Sequence, residues 1–168
     1  SAASDVYKRQ PTILFKNTDA WSLIRKTQSP AELKTFVENI TDVVISYIES
    51  VQKQKAANII TQVKALVEKN YARDASLETV ASQVFISPCY LSVIFKKETN
   101  ITFKNYLIQT RIEKAKELLE KTDLKIYDIA EKVGYNNTRY FSELFQRICG
   151  KTPSQYRASH NPSMPQDI

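Results

Sequence analysis

The chain has 168 residues, of which 42% are apolar, 6 are proline, 2 are glycine and 1 is histidine. Two glycines cannot form a GxGxxG nucleotide fingerprint, and Gly134 and Gly150 lack the spacing of a phosphate-binding P-loop. Because His160 is the sole histidine, the sequence excludes a multi-histidine metal site and offers a poor basis for a Ser-His-Asp triad. We therefore predict a non-catalytic, all-α protein with no cofactor and no metal, since scarce glycine favours helices joined by short connections.

The charge balance and the cysteines indicate the compartment and the kind of partner. Lysine and arginine outnumber aspartate and glutamate by 24 to 18, and this mild basic excess is compatible with a polyanionic partner. Cys89 and Cys149 form no CxxC motif, which is typical of free thiols in a reducing compartment. No apolar run approaches the roughly 18 residues that span a bilayer. We expect a soluble, cytoplasmic protein with no membrane partner.

The first 28 residues carry little pattern. Residues 1–10 are small and polar, and residues 11–28 hold one short apolar run, 13–15, together with Trp21. We interpret 1–28 as a leader or as the remnant of an upstream region.

A helix is predicted from residue 29, because Ser29 suits the N-cap, Pro30 suits the first helical position and Glu32 completes a capping box. Apolar residues then recur at alternating spacings of four and three, at Leu33, Val37, Ile40, Val44, Tyr47 and Val51. This heptad seam leaves two interpretations open. We favour a helix packed on a neighbouring domain, and the second is a homodimer formed through 29–51. The polar stretch 52–58 predicts a connection or a helix with nothing to bury, so 29–57 is interpreted as an amphipathic linker or dimerisation helix.

From Ile59 onward the pattern is helical throughout. A first amphipathic helix ends near Tyr71, and Ser76 caps a short helix that leads to the turn at 85–87. Asn100 tolerates left-handed geometry and is predicted to end the next helix. Thr102 then opens a long helix that runs to about Lys121.

An internal repeat is the most informative feature, because the segment 77–102 can be aligned with 126–152. The matched pairs include Ala81 with Ala130, Val84 with Val133, Leu91 with Phe141, Phe95 with Phe145, and Asn100 with Gly150. Each copy predicts a short helix with a small alanine at its contact face, a turn and a second helix, which is the helix-turn-helix arrangement. The helix between the copies has about 20 residues and a length of about 30 Å. That length is close to the roughly 34 Å of one DNA turn, so two recognition helices can enter successive major grooves.

At these residues the sequence resembles the DNA-binding domain of the AraC/XylS family of bacterial transcription regulators. The segments SPCYLSVIFKKETN, YLIQTRIEKAKELLEKT and IYDIAEKVGYNNTRYFSELFQRICGKTPSQYR carry the resemblance. It implies two helix-turn-helix subdomains joined by a long linker helix over 58–160, followed by a disordered tail at 161–168. The helix that begins at Ser29 resembles the one that precedes this domain in YesN-like response regulators.

The resemblance also implies which residues contact DNA, with recognition helices at about 87–98 and 137–149. The base-facing residues are Pro88, Cys89, Ser92 and Val93 in the first copy, and Thr138, Arg139, Ser142 and Glu143 in the second. The residues predicted to contact phosphates are Ser87, Lys96, Lys97, Asn137, Gln146, Arg147, Lys151 and Thr152. For Lys96, Lys97, Arg147, Lys151 and Thr152 the alternative is a solvated surface with no DNA contact. Val93 and Glu143 depart from the basic residues common at their positions in the family. Because Pro88, Cys89 and Val93 offer only apolar contact, direct base readout by the first helix is expected to be weak.

Three further residues have structural interpretations. Arg139 has i,i+4 spacing to Glu143 and can form a salt bridge instead of a base contact. Arg111 is expected to brace the two subdomains, and Arg157 is expected to pack structurally.

The predicted function is therefore sequence-specific binding of double-stranded DNA by a transcription regulator, with RNA polymerase as a further candidate partner. The alternative is a helical adaptor that binds proteins and no longer contacts DNA, and Val93 and Glu143 are the residues that favour it.

Overall fold

The computed structural model describes Ser29–Arg73 and Ala75–His160, and within these ranges every regular element is an α-helix. The seven helices are α1 (Pro30–Asn70), α2 (Leu77–Gln83), α3 (Pro88–Thr99), α4 (Phe103–Lys121), α5 (Ile126–Lys132), α6 (Thr138–Cys149) and α7 (Pro153–His160). The all-α prediction is confirmed. The predictions for residues 1–28 and for the tail at 161–168 lie outside the described residues.

The chain divides into two units at Gln52–Lys53. In the first unit α1 begins as predicted, with the Glu32 amide donating to Ser29 Oγ at 3.2 Å. Most of the predicted seam is exposed, and only Ile40 is half-buried. The exposed members are Leu33, Val37, Val44, Tyr47 and Val51. The amphipathic face of this segment is therefore on the surface in the described residues.

Helix α1 is one continuous element of 41 residues. The sequence alone allowed either a connection or a helix at 52–58. That stretch holds neither glycine nor proline, and its lysine, glutamine and alanine residues are good helix formers. Nothing there stops the backbone from continuing, and Ala56 is buried. The helical alternative for this stretch is therefore the one observed, and the expectation that this helix has nothing to bury is wrong at Ala56.

The second unit contains two hydrophobic cores. The first core joins the C-terminal part of α1 to α2 and α3, and its members include Val63, Val67, Ala81, Leu91 and Phe95. The second core joins α5, α6 and α7. Helix α4 contributes Phe103 to the first core and Ile112, Ala115 and Leu119 to the second. The long helix thus belongs to both cores and links them.

The predicted repeat is confirmed at its buried positions. Ala81 and Ala130 are both fully buried, which lets the second helix of each copy pack closely against the first. The axes of α2 and α3 differ in direction by 94°, within the range typical of a helix-turn-helix motif. Leu91 and Phe95 in α3, like Phe141 and Phe145 in α6, are also fully buried. The α2–α3 and α5–α6 pairs are therefore two copies of one motif.

Left-handed backbone positions match between the copies as well. Asn100 ends α3 with φ 61°, as predicted, and Gly150 ends α6 with φ 75°. In the turn inside each motif, Phe85 adopts φ 57° where the second copy has Gly134 with φ 91°. A bulky residue in this region is uncommon, and the sequence pattern did not reveal it.

Candidate nucleic-acid interface

The N-terminal turns of α3 and α6 begin in the same way. Ser87 Oγ accepts a hydrogen bond from the Tyr90 amide at 3.2 Å, and Asn137 Oδ1 accepts one from the Tyr140 amide at 2.9 Å. Each cap satisfies one of the free amides at a helix start and defines where the first turn begins. Because the opposite face of each helix is buried in its core, these turns present a defined set of outward side chains.

On α3 the four predicted base-facing residues, Pro88, Cys89, Ser92 and Val93, are all exposed. Val93 is 62% exposed, although valine is a residue type that usually lies in a core. None of the four carries a charge, and Cys89 is a free thiol. This surface can make apolar and weakly polar contacts.

On α6 the predicted set divides into two kinds. Arg139 and Glu143 are exposed, whereas Thr138 and Ser142 are half-buried. Arg139 Nε donates to Glu143 Oε1 at 3.0 Å, so the salt bridge named as an alternative is present. Its side chains remain 89% and 65% exposed. Such a pair is weak, worth about 0.3–0.5 kcal/mol, and is easily exchanged for a stronger partner.

The two recognition helices can be compared position by position, because Leu91 occupies the place of Phe141. Cys89 then corresponds to Arg139, and Val93 corresponds to Glu143. The first copy has an apolar pair where the second has an ion pair. Within each pair, the two residues lie one helical turn apart on the outward face of their helix.

The predicted phosphate-contacting residues differ in what their side chains already do. Lys96, Lys97, Gln146 and Arg147 are exposed. Ser87 and Asn137 act as helix caps, and Lys151 Nζ donates to Ser159 Oγ at 3.3 Å. Thr152 is half-buried and caps α7, because its Oγ1 accepts from the Gln155 amide at 3.3 Å.

Three exposed aromatic residues near the two motifs were missed by the sequence interpretation. Tyr90 and Tyr140 lie in the first turns of α3 and α6, and Phe85 in the preceding turn is 94% exposed. The signal available in the sequence was the repeat itself, since Tyr90 and Tyr140 occupy matched positions.

Arg157 and Arg111 both bind backbone carbonyls. Arg157 is buried and donates to the carbonyl of Leu124, which confirms its structural interpretation. Arg111 Nε donates to the carbonyl of Tyr71 at 2.8 Å, and its guanidinium lies 5.1 Å from the ring centroid of Tyr135.

Tyr135 is buried in the second core, and the half-buried Tyr156 packs against that core. Burial raises the pKa of Tyr135, and the positive charge of Arg111 opposes this increase. Burial and the hydrogen bond to Glu120 raise the pKa of Tyr156 to about 12, and the Tyr156 hydroxyl donates to that carboxylate at 2.8 Å. Both hydroxyls therefore stay protonated at physiological pH.

The described ranges contain no group of three or more side chains that is suited to hold a metal ion. Within the same ranges, no single helix is long and apolar enough to cross a membrane. Only α2 and α3 taken together reach that length and composition, and they are sharply bent at the turn between them.

Comparison with known proteins matches residues 80–159 to a family described as a helix-turn-helix domain. The chain is 30% identical to an uncharacterized HTH-type transcriptional regulator, YijO of Escherichia coli, over 97% of this chain and 59% of the relative. It is 41% identical to the C-terminal domain of the response regulator YesN of Fusobacterium nucleatum, covering 56% of this chain and 93% of that structure, with a TM-score of 0.55. The DNA-binding domain of AdpA, solved with a target DNA, is 25% identical over 64% of this chain and 97% of that domain, with a TM-score of 0.58.

Proposed function

This chain belongs to the AraC-type family of helix-turn-helix transcription regulators, and we propose that it binds duplex DNA in a sequence-specific manner through α3 and α6. The observation that carries the proposal is the duplicated motif. Two capped recognition helices, each packed on a buried alanine of the preceding helix, occur in one unit. In this proposal the protein regulates transcription and has no catalytic role.

The length of α4 supports a two-site contact. With 19 residues it is about 28 Å long, which is slightly less than the roughly 34 Å of one DNA turn. A helix of this length between the motifs suits recognition helices that enter successive major grooves. The AdpA domain, which has the same fold, was solved with its target DNA.

We assign specific base readout mainly to α6. Arg139 can form two parallel hydrogen bonds to guanine, and Glu143 can accept from a cytosine amino group. A bidentate base contact is worth about 1–3 kcal/mol, more than the roughly 0.3–0.5 kcal/mol of the exposed Arg139–Glu143 pair. DNA therefore competes successfully for Arg139, and the free protein holds the side chain on the correct face beforehand.

We assign methyl recognition to α3. Pro88, Cys89 and Val93 offer apolar contact, and the thymine methyl group is the apolar feature of the major groove. Ser92 can hydrogen-bond either to a base or to a phosphate. The first half of the operator is therefore expected to be rich in thymine.

The exposed cations position the protein on the duplex. Lys96, Lys97 and Arg147 are assigned to phosphate contacts, together with Gln146, Lys151 and Thr152. Ser87 and Asn137 are assigned to the same role through the helix starts that they cap. Each neutralised phosphate releases a counterion, so affinity should fall steeply with salt.

Two protein partners complete the proposal. The exposed seam of α1, from Leu33 to Val51, is suited to pair with a second copy of the chain through residues 29–51. Sedimentation at rising concentration tests this homodimer. We propose RNA polymerase as the second protein partner, because a transcription regulator binds DNA close to where the polymerase starts.

A helical adaptor is the second candidate function. Phe85 and Val93 favour it, because both are large apolar residues exposed next to a recognition helix. A protein-binding surface commonly carries such residues. Selection from a random duplex library separates the two functions.

The proposed function is tested by using the full chain to select sequences from a random duplex library, once at low salt and once at moderate salt. Two enriched blocks about one helical turn apart are expected. A single block would restrict base readout to one helix. If no sequence is enriched and retention is lost at moderate salt, the adaptor function replaces DNA recognition.

A matched pair of variants identifies the residue that reads bases. Arg139→Ala is expected to weaken binding to the selected site about 5- to 160-fold, because it removes a bidentate contact worth about 1–3 kcal/mol. Cys89→Ala, at the equivalent position of α3, is expected to cost at most about threefold. Equal losses in both variants would contradict the assignment of specific readout to α6.

A further inference from the structure

Arg111 lies where the end of α1, the middle of α4 and the turn after α5 meet. Its Nε donates a hydrogen bond to the carbonyl oxygen of Tyr71 at 2.8 Å, and Tyr71 is the first residue after α1. Its guanidinium lies over the ring of Tyr135, which belongs to the second core. Because α1 contributes Val63 and Val67 to the first core, one side chain on α4 contacts chain segments that belong to both cores.

The backbone at this point is closely packed. A Cβ atom at Gly134 would lie 2.7 Å from the Ala72 carbonyl oxygen and 2.9 Å from Arg111 Cζ. The turn after α5 therefore rests directly on the chain that follows α1. Tyr71 also packs against the second core, so the chain at the end of α1 connects the first core to the second.

This contact is a second link between the motifs, beside α4. A single connecting helix sets the separation of two bodies along its axis but leaves bending and twisting as soft motions. A contact away from that axis restrains both motions. Arg111 is suited to this role, because its planar fork can donate to a carbonyl and lie over an aromatic ring at once, whereas lysine presents a point charge.

We propose that Arg111, through Tyr71 and Tyr135, is a positioning residue that holds α3 and α6 in one relative placement. The protein would then accept only one separation of the two base-pair blocks in its operator. The proposal rests on the proposed function for its consequence on DNA, while the placement itself is a property of the free protein. Arg111 is half-buried and its Nε is occupied by Tyr71, so the role assigned to it involves no base contact.

The placement is tested without DNA by measuring the distance between two spin labels. One label is attached to Cys89 on α3, and the other to Gln146→Cys on α6 in a Cys149→Ser background, all in the full chain. The parent protein is expected to give a narrow distance distribution, and Arg111→Lys a distinctly broader one. Lys121→Ala removes an exposed charge from the same helix and should leave the distribution narrow. An unchanged distribution in Arg111→Lys would overturn the proposal.

The consequence is tested with duplexes that carry both selected blocks and a spacer altered by one base pair. Each base pair moves the second block by about 3.4 Å and rotates it by about 34°. The parent protein is expected to lose more than about tenfold in affinity, and Arg111→Lys less than about threefold, because a loosened link adapts to either spacing. Affinity for a single block should be unchanged by the substitution.

The outcomes separate the two proposals. If Arg111 only supports folding, Arg111→Lys lowers one-block and two-block affinity by the same factor and keeps the spacing preference, which overturns the positioning role. If the parent protein selects no DNA sequence, the proposed function fails, and the distance distributions alone then decide whether Arg111 sets the placement.

Discussion

The two helix-turn-helix motifs share a framework and differ on the surface that it presents. Their buried residues correspond in position and are apolar in both copies, from Ala81 and Ala130 to Phe95 and Phe145. Three of the four predicted base-facing positions differ between the motifs, and the largest difference is that Cys89 stands where the second motif has Arg139. Packing restricts a buried position to a narrow range of volumes, whereas an outward position is restricted only by what it binds. Under the proposed function, we therefore expect the two motifs to recognise different sequences.

The turns inside the motifs show the same contrast. Phe85 and Gly134 both have positive φ, but only Gly134 faces closely packed atoms. Phe85 projects into solvent, so the left-handed conformation is the only constraint on its side chain. The second motif thus requires glycine for two reasons, and the first motif tolerates a bulky residue at some conformational cost.

The largest expected effect comes from filling the space at Gly134. Gly134→Ala should lower the free energy of unfolding by on the order of 3 kcal/mol, because it adds left-handed strain and a contact with the Ala72 carbonyl oxygen. Gly150→Ala is the matched control, since a Cβ atom there has no neighbour within 4 Å. It should cost only the backbone strain, about 1 kcal/mol.

Chemical denaturation of the two variants measures this difference. Equal destabilisation by Gly134→Ala and Gly150→Ala would mean that the backbone after α5 moves away from Ala72 at little cost. In that case the contact between Gly134 and the end of α1 would contribute nothing beyond the conformation of the turn.

The framework of the two motifs was predictable because its buried apolar residues recur at helical spacing in the sequence. Helical spacing and the repeat identified the cores, the capping residues Ser76 and Thr102, and the left-handed end at Asn100. The continuity of α1 was left open, because polar helix formers show no periodic apolar face. The conformation of Phe85 was missed, since an exposed residue carries no packing signal. The Arg139–Glu143 pair was foreseen only as an alternative, because spacing permits a salt bridge without requiring it.

A smaller effect should distinguish the two halves of the operator. Replacing thymine by deoxyuridine removes only the methyl group, whose burial is worth about 0.8 kcal/mol or a fourfold change in affinity. In the block read by α3, each contacted methyl should therefore contribute a loss of up to about fourfold. The same replacement in the block read by α6 should change the affinity little. Equal sensitivity of both blocks would contradict the assignment of methyl recognition to α3.

The smallest effect concerns Phe85 and has the opposite sign. Phe85→Gly should raise the free energy of unfolding by about 0.5 kcal/mol, because relief of left-handed strain, about 1–2 kcal/mol, exceeds the entropy that glycine adds to the unfolded chain. Phe85→Ala removes the ring but keeps Cβ, so it should give no increase. Thermal unfolding of both variants separates backbone strain from the loss of the ring. If both variants were destabilised, the ring would contribute stability despite its 94% exposure, and the cost of the first motif's turn would be compensated by packing. If only Phe85→Gly is stabilised, the first motif retains a strained aromatic residue for a reason other than folding, and DNA affinity of the same variants then shows whether binding is that reason.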